Sequence, residues 1–175
     1  MEQKQWTILF DLEETLIESW SDRALLVNKV KLIEKFIQFK LKESRQMLGR
    51  RFANPPLAMP RFGIMSWAVW NDADKKEFQQ EIQPWLEEQM RITFRQDLIL
   101  SMDDWALLVM KNTGLKLSRQ DIFDFCNKET VLFWLRNAIH EFPEGEITLI
   151  DDAVTHNNVI VSGTRKINIM NVDKL

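Results

Sequence analysis

Trp6-Thr7-Ile8-Leu9-Phe10-Asp11-Leu12-Glu13-Glu14-Thr15 is the stretch that decides the fold. An apolar run ends in an acid, a second acid follows two positions later, and a threonine two after that. An unbroken run of this kind suits a strand buried on both faces, as in parallel sheets. A carboxylate at the exit of such a strand reaches the carboxyl edge of the sheet, where open α/β folds hold their ligands.

Downstream, helical and strand patterns alternate. Asn28 is placed to cap a helix in which Val30, Ile33, Phe36, Ile37 and Leu41 keep a 3.6-residue period, and Gly49 is placed to end it. Asn-Pro-Pro and Met-Pro make residues 50–60 a loop, and a short strand follows over Phe62–Ser66. A helix opening at Asn71 or Asp72 meets Pro84, which predicts a break or kink, with Gln83 capping a continuation through Met90. Residues 91–95 and 98–101 are strand-like but irregular. Asp103 or Asp104 starts a helix that stops at Gly114, and Ser118 with Asp121 begins the next. A further helix from about Lys128 to His140 carries Val131, Leu132, Leu135 and Ile139 on one face. Ile147–Ile150 reads as a strand ending in Asp151-Asp152, and the β-like runs Val159–Val161 and Ile167–Val172 are separated by Gly163. The alternation predicts an α/β fold, a mostly parallel sheet covered on both faces. With no linker or repeat, residues 1–175 read as a single domain, with room for a small irregular insertion around 92–117.

Composition sets bounds. A chain of 175 residues with 45% apolar content can bury a real core. No stretch approaches the roughly 18 apolar residues of a membrane span, and the N-terminus enters a strand pattern without an apolar leader. The single cysteine, Cys126, has no partner for an internal disulfide, which points to a cytoplasmic setting. Its helical spacing among aromatics reads as a buried structural thiol. A net charge of −3 does not favour nucleic acid globally. Locally, Lys40, Lys42, Arg45, Arg50 and Arg51 cluster within the stretch 40–51. They suit either a solvated helix end or a phosphate-contacting surface.

Chemistry-bearing residues recur at strand exits and helix starts: Asp11, Glu13 and Thr15, then Ser66, then Lys128, then Asp151 and Asp152. Carboxylates gathered at one sheet edge repel one another unless a cation intervenes, and a hard divalent ion with oxygen ligands answers that need. Ser66 also suits a turn cap, and Lys111 and Lys116 compete with Lys128 as surface lysines of similar position. His140 ends a helix, and His156 follows the paired acids closely enough to enter a site mouth. Two distant histidines do not make a zinc site.

The ordered set resembles the haloacid dehalogenase (HAD) superfamily of phosphotransferases over about residues 6–158. The family's Asp-x-Asp-x-Thr motif reads Asp11-Leu-Glu13-Glu-Thr15 here, its strand-ending Ser or Thr is Ser66, its helix-start Lys is Lys128, and its paired acids are Asp151-Asp152. The resemblance implies a Rossmann-like three-layer domain and a Mg2+-dependent phosphatase working through an aspartyl-phosphate. It makes Asp11 the nucleophile and a metal ligand, together with the Glu13 backbone carbonyl and Asp152, while Asp151 orients its neighbours or a metal-bound water. Ser66 and Thr15 serve the substrate side, and Lys128 neutralises charge on the transferring group. The departure is Glu13, where the family's phosphatases carry an acid/base Asp. One methylene moves the carboxyl by roughly 1–1.5 Å, enough to cost on the order of a hundredfold in rate. The resemblance therefore leaves open a working phosphatase, a slow one, or a catalytically silent HAD-fold module that binds protein or nucleic acid. The spacing between motifs leaves little room for a cap, so an open site is expected. With the stretch 40–51, Trp67 and Trp70, that site suits a phosphorylated substrate such as a nucleotide or polynucleotide end. The two tryptophans, which flank the exit of the second strand, equally suit helix or core packing.

Overall fold

The structure is a computed structural model and describes residues 2–47, 55–137, 142–143, 145–156, 158–162 and 165–175. Its centre is one six-stranded sheet of β1 (Trp6–Phe10), β2 (Arg61–Ile64), β3 (Phe94–Ile99), β4 (Glu146–Asp151), β5 (Asn158–Ser162) and β6 (Arg165–Asn171). The spatial order is β3-β2-β1-β4-β6-β5, and every pairing is parallel except that of β5 with β6. The fold is thus α/β with a mostly parallel sheet. No described helix is long and apolar enough to cross a membrane.

The first strand sits mid-sheet because its residues are apolar on both faces. Trp6, Ile8 and Phe10 join one core cluster, with Val30 and Ile33 of α1 (Val27–Gln46) and with Phe78, Ile82 and Leu86. Leu9 joins a second cluster against α4 (Met102–Thr113), α5 (Arg119–Phe125) and α6 (Lys128–Trp134). Burying each of these large side chains contributes about 1.5–3 kcal/mol. The indole of Trp6 also donates to Thr148 Oγ1 at 2.9 Å, satisfying two polar groups inside the sheet layer.

Several boundaries differ from the sequence reading. Asn28 lies inside α1, whose N-cap is Leu26 and has no side-chain cap. Pro84 does not break its helix: α2 (Asp72–Glu77) runs through a π-helical turn at Phe78–Ile82 into α3 (Gln83–Met90), with Pro84 in the first turn of α3. The wide turn accommodates the missing N–H that an α-helix would have spent there. The two irregular strand fragments are one strand, β3, with a register shift against β2. The room for an insertion around 92–117 is largely filled by β3 and α4. Ser101, ahead of the expected Asp103 or Asp104, caps α4 in a capping box with Asp104. Gly49, Arg50, Arg51, Ile139, His140 and Gly163 lie outside the described residues.

Gly63 fixes how closely β2 lies between its neighbours. A Cβ there would come within 2.6 Å of Leu98 Cβ, 2.7 Å of Leu98 O and 2.9 Å of Leu9 Cδ2. Gly63→Ala therefore overpacks the sheet and should cost about 1–3 kcal/mol, read as a lowered denaturation midpoint with unchanged slope.

Candidate active site

The strand order reverses at β1: the chain passes from β1 outward to β2 and β3, then returns to place β4 on the other side of β1. That switch point brings two strand exits together. Phe10 pairs with Ile150, and the Asp11 N–H donates to Ile150 O at 3.0 Å. Asp11 and Asp151, separated by most of the chain, become neighbours because their strands end in the same register.

Lys128 completes the core of the site. Asn127 caps α6 by accepting the Thr130 N–H at 2.7 Å, which sets Lys128 at the first helical position. The buried Lys128 ammonium donates to Asp11 Oδ1 at 2.9 Å and to Asp151 Oδ2 at 2.5 Å. Lys128 is 4% exposed, so this is a desolvated charge cluster. Lys111 and Lys116, the competing lysines of the sequence reading, are on or just after α4 and exposed.

Ser66 lies two residues past β2, is buried, and lowers the Asp11 carboxyl slightly against the rise that burial causes. Its Oγ also accepts the Ala68 N–H at 3.2 Å, so the turn-cap role and the site role coexist. Thr15 is fully buried. Its hydroxyl lies 3.4 Å from both Asp11 Oδ2 and Asp152 Oδ1, and its one proton serves one carboxylate at a time. The hydroxyl thus lies between two of the acids of the site.

Asp11, Asp151 and Asp152 present carboxylate oxygens within 4.8 Å of one another, a set that could hold a metal ion. The Glu13 side chain is not part of that group. Burial pushes the Asp11 carboxyl above its ordinary value, Lys128 opposes the rise and Asp151 adds to it. Asp152 is pushed up to about 7, by burial first, then by a hydrogen bond with the Glu14 carboxyl and by the charges of Asp11 and Asp151. The folded chain therefore keeps on Asp152 a proton that the unfolded chain releases near 3.8. This acid's contribution to stability is present below about pH 4 and is lost as pH rises to about 7. In metal-free buffer, wild type should lose melting temperature between pH 5 and pH 8 relative to Asp152→Asn, which lacks the titration. Parallel melting curves across that range would refute the assignment.

Glu13 is half-buried, and its Oε2 accepts the Trp20 N–H at 2.8 Å, which holds the side chain in the turn after β1. Glu14 has left-handed backbone, φ 59, an uncommon conformation for a residue with a side chain. The Lys29 ammonium donates to its carbonyl. Glu14 borders the cleft together with Asp152, and strand alternation in the sequence gives no sign of its left-handed backbone.

The site opens into a cleft of about 320 Å3. Asp11, Lys128, Asp151 and Asp152 border it together with Glu13, Glu14, Glu18, Ser19 and Trp67. His156 is not among its bordering residues; its Nδ1 accepts the Asn171 N–H at 3.1 Å and ties down the loop after β4. Cys126 is half-buried at the end of α5, and burial pushes its thiol upward, away from a reactive thiolate.

The basic stretch does not border this cleft. Lys29, near the start of α1, touches Glu14 beside the site, whereas Lys40, further along, approaches Glu146 at 3.7 Å at the start of β4. The helix runs from the carboxyl edge of the sheet to the opposite edge, and carries Lys40, Lys42 and Arg45 away from the acids. Comparison of the chain with protein-family models, curated proteins and solved structures found no match in any of the three.

Proposed function

We propose that this chain is a capless or minimally capped phosphatase of the HAD type, with the Rossmann-like three-layer arrangement of that superfamily, hydrolysing a phosphomonoester through Asp11. The observation that carries the reading is the convergence of Asp11, Ser66, Lys128, Asp151 and Asp152, drawn from four separate segments, at the exits of adjacent parallel strands. Buried ion clusters seldom stabilise a fold, so a buried lysine between two buried aspartates supports a chemical role.

The donor set fits Mg2+: all-oxygen, carboxylate-rich and strained by like charge in the metal-free state. Asp11 and Asp152 would hold the ion, with the Glu13 carbonyl as the resemblance implies, and Asp151 beside them. When bound, the ion neutralises the carboxylates and the phosphoryl oxygens.

The chain's own groups supply the remainder. An Asp11 carboxylate oxygen attacks phosphorus, and the bond to the leaving oxygen breaks. The Glu13 carboxyl protonates that oxygen. Water then attacks the phospho-Asp11 phosphorus, gives its proton to Glu13, and releases phosphate with the Asp11 carboxylate restored. Lys128 and Ser66 balance the charge that moves between carboxylate and phosphoryl group. The Trp20 N–H bond to Glu13 Oε2 leaves Oε1 as the oxygen for proton transfer. The test is phosphate release from an aryl phosphate that requires both Mg2+ and Asp11, with a beryllium fluoride adduct on Asp11 as direct evidence for the nucleophile. Normal Mg2+ binding with no turnover and no adduct would leave a binding module as the remaining reading.

A further inference from the structure

We infer that Trp67 is the leaving-group platform of this site, and that the substrate is a phosphomonoester of a flat, aromatic alcohol carrying no further negative charge. The inference rests on the phosphatase reading and names its substrate class.

Trp67 follows Ser66 directly and is itself one of the residues bordering the cleft. It is braced from behind. Phe123 meets it edge-on at 5.4 Å and 88°, and Trp70 lies 6.2 Å away, itself packed on Phe123 at 5.6 Å. The Arg119 guanidinium sits 5.4 Å from the Trp70 ring and is held by Asp103 at 2.6 Å. A ring fixed this way loses little freedom when a second ring stacks on it.

Charge restricts what that ring belongs to. Six carboxylates and one ammonium border the cleft, and Glu13, Glu14 and Glu18 add to the Asp11, Asp151 and Asp152 cluster. A divalent ion offsets only part of that excess. The phosphoryl group still meets the ion and Lys128, but additional phosphates meet carboxylates. Of the described cations of α1, Lys29 is engaged by the Glu14 carbonyl beside the site, and Lys40 approaches Glu146 at the opposite edge of the sheet. A nucleic acid terminus, attractive from sequence, is therefore disfavoured, and an aryl ester with a neutral or cationic leaving group is favoured.

The test compares phenyl phosphate, glycerol 1-phosphate and a 5′-phosphorylated oligonucleotide on wild type, Asp11→Asn, Trp67→Ala, Trp67→Phe and Glu18→Lys. Trp67→Ala should raise KM for phenyl phosphate about tenfold with little change in kcat, while Trp67→Phe retains most of the affinity and glycerol 1-phosphate is unaffected. Glu18→Lys should raise kcat/KM for the oligonucleotide several-fold, an effect that fades with added salt. Equal loss of aryl and alkyl substrates in Trp67→Ala, or an oligonucleotide preferred by wild type, would overturn the inference and leave the phosphatase standing. Absence of Asp11-dependent turnover with all three substrates would remove both.

Discussion

Asp11→Asn should abolish Mg2+-dependent phosphate release, lowering kcat by about four orders of magnitude or more, as expected when a nucleophile is removed. The amide nearly matches the carboxylate in shape, so Ser66 and Thr15 keep a neighbour of similar size. Lys128 keeps Asp151 as a partner at 2.5 Å, so its ammonium is not stranded. Removing one of three clustered carboxylates also relieves repulsion. The variant should therefore melt within about 4 °C of wild type while losing activity and the beryllium fluoride adduct together. A variant that keeps a tenth of wild-type turnover would exclude Asp11 as nucleophile, and a large loss of stability would make the kinetic result uninformative about mechanism.

Lys128→Met should be the most damaging single change to the fold. It leaves Asp11 and Asp151 buried at the same sheet edge with no ammonium between them, and removing one partner from a buried charge cluster costs about 3–5 kcal/mol. The deficit should shrink at acidic pH, because protonating a carboxyl removes the repulsion that the lysine no longer offsets. Mg2+ should restore part of the loss if the cluster binds it, since mass action stabilises whichever state holds the ion. Thermal melts at pH 5 and pH 8, with and without Mg2+, read all three effects. A melting temperature insensitive to both pH and substitution would show that the Lys128 contacts carry no energetic weight.

The sheet was legible in the sequence where strands were apolar on both faces. Trp6–Phe10 and Ile147–Ile150 could hardly be anything else, and each ends in the acid that the pattern marked. Phe94–Ile99 was harder, because three of its six residues are exposed and its register shifts against β2, so it read as two fragments. Capping chemistry located α5 and apolar periodicity located α6, whereas the cap expected for α1 is absent, since that helix starts without a side-chain cap. The acids and Lys128 of the site were legible because each stands at a strand exit or a helix start, which the apolar patterns mark. The place of Glu14 on the same cleft as Asp152 was not, since strand alternation gives no sign of its left-handed backbone. The direction of α1 was available from connectivity alone: a helix joining two parallel strands must run back across the sheet. Its basic end was bound to finish far from the acids, whatever its charge suggested.

The pairing of β1 with β4 has a kinetic consequence. The two strands that carry Asp11 and Asp151 close the longest loop among the sheet's adjacent strands, so their union bears the largest entropic delay. During synthesis, the first residue of the site waits for almost the entire chain to emerge before it meets its neighbours. Lys128 arrives shortly before Asp151, and the acids are brought together with their counter-charge already to hand. Assembly of the site thus reports the joining of the two halves of the sheet, and a chain caught before that step does not yet hold Asp11, Lys128 and Asp151 together.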